Sequence, residues 1–193
     1  MHDIDKGTLR RRQVAARTAM PDSIRNESGR LIRDHVLEMP QVTSAGTIAA
    51  YYSVGTEPDT RGLIFALWKR GSYVVLPVLL PDGDLDWASY EGPESLAPGP
   101  RGVLQPVEPV RGTGTVARAD VVLVPALAVD VRGRRLGRGG GSYDRALARV
   151  GPQVPTIALL YDSELLPSVP AEEHDQAVRA VARPEQGITW LPA

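Results

Sequence analysis

One stretch of this chain brings together residue types suited to holding an anion: Arg134-Arg135-Leu136-Gly137-Arg138-Gly139-Gly140-Gly141-Ser142-Tyr143-Asp144-Arg145. Four of the five positions from 137 to 141 are glycine. Glycine tolerates positive φ and lets a backbone come close to a ligand. Successive free N–H groups at a helix start make an anion site. The arginines at 134, 135, 138 and 145 carry planar forks that match phosphate oxygens. A tight turn or a solvated basic loop explains the same residues without a ligand. The motif is not a Walker A loop, because no Gly-Lys-Ser/Thr follows. Gly137-x-Gly139-x-x-Ser142 lacks the third glycine of a dinucleotide fingerprint.

Other residues could complete such a site. A carboxylate at Asp144 would repel phosphate unless a cation lay between, and Mg²⁺ is held by one or two carboxylates plus phosphate oxygens. Capping of a helix N-terminus accounts for Asp144 equally well. Lys6 and Arg10 are four apart and project from one helix face, although most such pairs are solvated. Glu57 reads as a solvent-facing loop residue or as an acceptor for a ligand N–H. His174-Asp175 reads as a turn or as a second magnesium contact. Trp87 and Tyr90 read as packing. His2 and His35 carry no signal, and three histidines make neither a metal-type spacing nor a Ser-His-Asp set.

Composition removes several classes. The absence of cysteine excludes disulfides, a thiolate nucleophile and Cys-based zinc sites. A net charge of −1 gives no general attraction to nucleic acid or anionic membrane. No apolar run of about 18 residues exists, and the N-terminus has no apolar leader core. The expectation is a cytoplasmic monomer with neither a nucleic-acid nor a membrane partner.

The elements that must position these residues alternate. Residues 4–19 read as a basic helix with Ile4, Leu9, Val14 and small residues as its apolar content. Pro21-Asp22-Ser23 starts a second helix, about 23–38, which Pro40 ends. Residues 46–52 read as a strand, and Asp59 or Thr60 caps a helix at about 61–70. Residues 73–80 form a second strand, with 85–90 as an antiparallel edge. Residues 81–118 are irregular and read as a surface excursion. Residues 120–125 are the clearest buried strand, and 142–150 the helix after the glycines. Strands at 155–161 and 177–182 follow. The fold class expected is a single α/β domain over 1–193, three-layered, with a mostly parallel, Rossmann-like sheet covered by helices on both faces. Ligands in such sheets sit beyond the carboxyl ends of the strands. The Glu57, glycine and His174-Asp175 loops each follow a strand and are expected to converge there.

The run Val124-Pro-Ala-Leu-Ala-Val-Asp130-Val-Arg-Gly133-Arg-Arg-Leu136-Gly-Arg-Gly-Gly-Gly-Ser-Tyr143-Asp144-Arg145 resembles the signature of the 5-formyltetrahydrofolate cyclo-ligase (methenyltetrahydrofolate synthetase) family. Lys6-x-x-x-Arg10, Tyr52-Ser53-x-x-x-Glu57-x-x-Thr60 and Val169-Pro-x-Glu-x-His174-Asp175 are similar to other segments of that family, in its order. The resemblance implies an ATP- and Mg²⁺-dependent ligase acting on 5-formyltetrahydrofolate. The formyl oxygen attacks the γ-phosphate, N10 then attacks the formyl carbon, and phosphate leaves to give 5,10-methenyltetrahydrofolate. The resemblance also implies that Lys6, Arg10, Arg135, Leu136, Gly137, Arg138, Gly139, Gly140, Gly141, Ser142 and Tyr143 hold ATP. Tyr52 and Glu57 would hold the folate, Asp144 and Asp175 the magnesium, and Tyr143 and Arg145 would be catalytic.

The chain departs from the pattern at four points. Ser142 and Arg138 stand where the family has tyrosines, Gln105 where it has glutamate, and Glu164 where glutamine is common. The changes at 105 and 164 support a second reading, a catalytically weak folate- or nucleotide-binding relative. A sugar-phosphate isomerase on a similar sheet is a third reading; it would leave Lys6 and Arg10 idle.

Overall fold

The computed structural model describes residues 4–192. His2 and the outermost positions of the 1–193 span lie outside the described residues. The chain opens with helices α1 (Lys6–Ala19), α2 (Asp22–Glu38) and the short α3 (Pro40–Thr43). Strand β1 (Thr47–Ala49), helix α4 (Arg61–Lys69) and strand β2 (Tyr73–Leu79) form a right-sized parallel crossover. Strands β3 (Leu85–Ser89), β4 (Leu96–Pro98) and β5 (Leu104–Pro106) follow. Then come β6 (Val121–Pro125), β7 (Ala128–Asp130), β8 (Arg135–Leu136) and helix α5 (Ser142–Leu147). The chain closes with β9 (Thr156–Leu159), β10 (Leu165–Leu166), β11 (Ala180–Arg183) and β12 (Gly187–Trp190).

The main sheet has the order β12-β11-β9-β6-β1-β2-β3. The pairs from β11 to β2 are parallel, and each edge strand is antiparallel to its neighbour. Strand residues alternate between two cores, as the period of a pleated strand requires. Val121, Leu123, Ile157 and Leu159 face α2 and α4, beside Ile32, Val36, Leu63, Ile64 and Leu67. Val122, Val124, Ala158 and Leu160 face α5, beside Ala146, Leu147, Trp87 and Val116. Each buried Leu, Ile or Val stabilises the fold by roughly 1.5–3 kcal/mol relative to exposure. The expected three-layer, mostly parallel α/β architecture is the one observed.

Several expectations change in detail. The edge strand at 85–90 is antiparallel as read, and Trp87 is wholly buried packing. The excursion at 81–118 contains the hairpin β4–β5. The last strand begins at Ala180, and β12, which returns antiparallel from it, was not anticipated. The helix after the glycines stops at Leu147, three residues early. The segment after β6 carries β7 and β8, which join β10 in a second small sheet. The largest difference is in α1. Its apolar Val14 is 41% exposed, whereas Arg17 is 1% exposed. The basic face of this helix turns inward, because the loop carbonyls and carboxylates beneath it need donors.

The β7–β8 turn is fixed by Asp130, whose Oδ1 accepts the N–H groups of Arg132 and Arg134 and whose Oδ2 accepts that of Val169. Gly133 in this turn has φ +83°, and a Cβ there would clash with the Val178 carbonyl oxygen. Gly133→Ala is expected to lower stability by about 2 kcal/mol or more, measured by urea titration; an unchanged midpoint would refute this close-packed role.

Candidate active site at the carboxyl ends of the strands

The strand order reverses between β1 and β6: β2 lies on one side, and β9 and β11 on the other. Loops leaving two such strands diverge and leave a crevice, where ligands of doubly wound sheets bind. Here the loop after β1 carries Glu57, and the β7–β8 segment after β6 leads to the glycines. Between them lies a cavity of about 610 Å³.

The structure brings nearly all of the sequence-derived candidates to this cavity. Lys6, Arg10, Tyr52, Glu57, Asp175 and every residue from Arg135 to Asp144 line it. Arg145 does not: its Nη2 donates to the Gly83 carbonyl at 2.8 Å, outside the cavity. Ser142 reaches the same carbonyl at 2.6 Å through Oγ, so the two residues pin the start of α5 to the β2–β3 turn.

One wall suits an anion. Among the described residues, no amide N–H from Gly137 to Ser142 donates a hydrogen bond within the protein. Gly139 has φ +108°, and a Cβ there would lie 3.4 Å from the Arg10 guanidinium carbon, so the helix side chain packs down on the loop. Arg10 Nε donates to the Gly137 carbonyl at 2.9 Å. Arg135, nearly buried, donates to the Pro125 carbonyl at 3.2 Å and to Asp144 Oδ1 at 3.0 Å. Its Nε is buried without a partner. Lys6 Nζ lies 2.6 Å from Asp175 Oδ2 and 3.0 Å from Glu172. Burial alone would lower the Lys6 ammonium pKa, but these carboxylates outweigh it and raise it. Burial would raise the Asp175 carboxyl pKa, but Lys6 holds it below the usual value.

The opposite wall is a hydrogen-bonding recess. Glu57 Oε2 accepts the Val54 N–H at 2.9 Å, and Oε1 lies 3.3 Å from Arg138 Nε. This ion pair joins the two walls. The hydroxyls of Tyr51 and Tyr143 are buried without a partner. Buried polar atoms left unpaired are costly and uncommon. Burial first, and the Glu57 carboxylate second, push both phenol pKa values up, so each stays a neutral donor. Pro77, Leu79, Leu85 and Val103 supply an apolar side, and the β4–β5 hairpin brings Arg101 and Gln105 to the rim.

The cavity residues missed in the sequence include Tyr51 and Arg17. Tyr51 lies one position before the tyrosine that the motif picked out. Arg17 continues the spacing of Lys6, Arg10 and Gln13, at i, i+4, i+7 and i+11, which is one helix face. That pattern was readable. Glu164, which had cast doubt on ligand binding, does not line the cavity; it accepts two bonds from Arg17 at 2.6 and 2.8 Å.

This fold and cleft define a doubly wound α/β protein whose crevice has a glycine loop with free amides on one wall and a carboxylate and two phenols on the other. A profile of the 5-formyltetrahydrofolate cyclo-ligase family matches residues 3–184, and the chain belongs to that family. It is 37% identical over 191 residues to the 5-formyltetrahydrofolate cyclo-ligase of Mycolicibacterium smegmatis, covering 96% of this chain and 97% of that one. It is 33% identical over 177 residues to the Escherichia coli K12 enzyme of the same name, covering 90% and 97%. The fold is also that of the 5,10-methenyltetrahydrofolate synthetase of Aquifex aeolicus, with TM-score 0.84, 23% identity and coverage of 97% and 93%.

The phenols make a pH prediction. A group whose folded pKa lies above its unfolded value of 10.0 favours folding below that pH, and this contribution is lost as pH rises, because the unfolded chain ionises first. The melting temperature is expected to fall above about pH 10, and Tyr51→Phe and Tyr143→Phe should each make the fall shallower. Parallel curves for wild type and variants would remove the two phenols as its source.

Proposed function

We propose that this protein converts 5-formyltetrahydrofolate and ATP to 5,10-methenyltetrahydrofolate, ADP and phosphate. Membership of the cyclo-ligase family supports the reaction. The observation that carries the assignment of roles is the single cavity with two unlike walls, bridged by Arg138 and Glu57.

In this reading the loop amides, Lys6, Arg10 and Arg135 receive the triphosphate. Glu57 accepts N–H groups of the pterin, with Tyr52 beside it. The formyl oxygen attacks the γ-phosphorus and ADP departs. N10 then attacks the formyl carbon and gives up its proton to solvent, and the original formyl oxygen leaves within phosphate. Little covalent chemistry falls to the protein. It must align two ligands, neutralise charge and exclude water from the phosphorylated intermediate. Tyr143, packed between Arg135 and the Glu57 side, keeps its proton and donates it as a hydrogen bond near the transferring group. Arg145 is read as an anchor of α5, on its contact with Gly83.

The residues fit a magnesium ion. Asp144 uses Oδ1 for Arg135 and the Gln176 N–H, and Asp175 uses Oδ2 for Lys6 and the Glu172 N–H. Each therefore keeps a second oxygen that accepts no hydrogen bond among the described residues. Among those residues no cluster of three or more His, Cys, Asp or Glu forms a closed metal site. Two carboxylates completed by phosphate oxygens and water make the set that magnesium takes. The ion would offset phosphate charge during transfer.

The decisive assay follows the ultraviolet absorbance of the methenyl product with 5-formyltetrahydrofolate, ATP and Mg²⁺. No ATP-dependent rise at high enzyme concentration would sink the reading. Glu57→Gln is expected to raise the folate KM about tenfold, the scale of one charge-assisted hydrogen bond, with the ATP KM little changed. The reverse split would move Glu57 to the nucleotide side. Asp144→Asn should depress kcat and raise the Mg²⁺ concentration needed for half-maximal rate; an unchanged magnesium titration would refute its role.

A further inference from the structure

The Glu57 loop is well tied at its base and sparsely tied at its tip. At the base, Ser53 N–H donates to Thr60 Oγ1, Thr60 N–H to Ser53 Oγ, and Thr60 Oγ1 to the Tyr51 carbonyl, at 2.9, 3.0 and 2.7 Å. At the tip, residues 54–57 bond mainly to themselves, through Val54 N–H to Glu57 Oε2 and Glu57 N–H to the Val54 carbonyl. Among the described residues, two polar contacts reach this tip from outside the loop. One is the largely exposed Arg138 on Glu57. The other is Tyr161 Oη, which donates to the Thr56 carbonyl at 2.9 Å.

Tyr161 is itself held by a buried ion pair. Its ring lies under the Arg17 guanidinium, 5.4 Å from centroid to carbon. Its N–H donates to Glu164 Oε2 at 2.9 Å. Arg17 is bound twice to Glu164 and once to the Ala126 carbonyl, at 2.6 Å, on the strand end that leads to the glycine loop. Arg17 and Glu164 are 1% and 2% exposed. An ion pair so buried and so fully bonded has one geometry, and Tyr161 inherits it. Burial pushes the Tyr161 phenol up to about 12, against the opposing Arg17 charge, so its hydroxyl remains a donor.

We propose that Arg17, Glu164 and Tyr161 form a positioning relay that sets where the Glu57 carboxylate stands in the cavity. None of its three members needs to touch the reacting atoms. The relay's hydrogen bond to the Glu57 loop is the one at Thr56, with Arg17 itself on the cavity wall, and the relay rests on the assignment of Glu57 to folate made above. It also gives the carboxylate at 164 a use: it neutralises Arg17, which would otherwise be a buried, unpaired cation next to the site.

The test is Tyr161→Phe, which removes one hydroxyl and keeps the ring under Arg17. The folate KM is expected to rise about fivefold, the factor carried by one neutral hydrogen bond, with the ATP KM within about twofold. Hydrogen exchange at the amides of residues 54 and 57 should quicken while that of the β6 and β9 amides stays unchanged. Glu164→Gln should move the same two readouts in the same direction. An equal rise in both KM values, an unchanged folate KM, or faster exchange throughout the sheet would overturn the relay and leave Tyr161 a packing residue. If the wild-type chain makes no methenyl product, the functional reading falls, and the exchange at 54 and 57 still decides whether Tyr161 positions the loop.

Discussion

The arrangement of the site depends on a helix that packs its charged face inward. Lys6, Arg10, Gln13 and Arg17 share one side of α1, with Leu9 among them, while Val14 faces solvent. Leu9 alone joins an apolar cluster, with Leu127, Ala128, Leu136 and Val169. The rest of the contact is polar. Lys6 reaches Asp175, Arg10 reaches the Gly137 carbonyl, and Arg17 reaches Glu164 and the Ala126 carbonyl. A parallel sheet directs its loops toward the carboxyl ends of its strands, where carbonyls and carboxylates gather. A basic helix lying across that rim satisfies them and binds three separate loops to one rigid rod. The order of these loops around the cavity follows from where each basic residue falls along the helix.

Such an arrangement balances two costs. Removing one partner of a buried ion pair typically costs about 3–5 kcal/mol, since it leaves an uncompensated charge, yet the intact pair contributes little net stability. Arg17–Glu164 is therefore better understood as a constraint on geometry than as a stabiliser. Arg138–Glu57 is the opposite kind of pair. Arg138 is half-exposed and its bond long, at 3.3 Å, so it is inexpensive to break. A site that must admit two ligands benefits from one contact of each kind, a fixed one beneath and a weak one across the opening.

Much of this was legible in the sequence because it rests on local pattern. Continuous apolar runs through Val121–Pro125 and Thr156–Leu159 mark strands buried on both faces, and the glycine run marks a loop. What escaped depends on distance. Residues 128–130 and 135–136 read as a departing loop because such short pieces become strands only by pairing with each other and with Leu165–Leu166. Arg145 looked equivalent to its neighbours in the arginine cluster, but α5 rotates it toward Gly83. Arg17 looked like one more surface charge on a basic helix. Only its heptad-like spacing from Lys6 and Arg10 distinguished it, and its partner lies 147 positions away.

Two departures from the family pattern take on a joint meaning in the fold. Arg138 adds a positive charge to the cavity, and Glu164 adds a negative one beneath it. Neither is left alone: Arg138 meets Glu57, and Glu164 meets Arg17. With tyrosine at 138 and glutamine at 164, Glu57 and Arg17 would each lose the charged partner it has here. Here each has its own. The cation on Glu57 is the exposed one, on the loop whose amide N–H groups are free of protein acceptors among the described residues. The charge that balances Glu57 thus stands on the glycine loop itself, so the two walls of the cleft are joined by one ion pair.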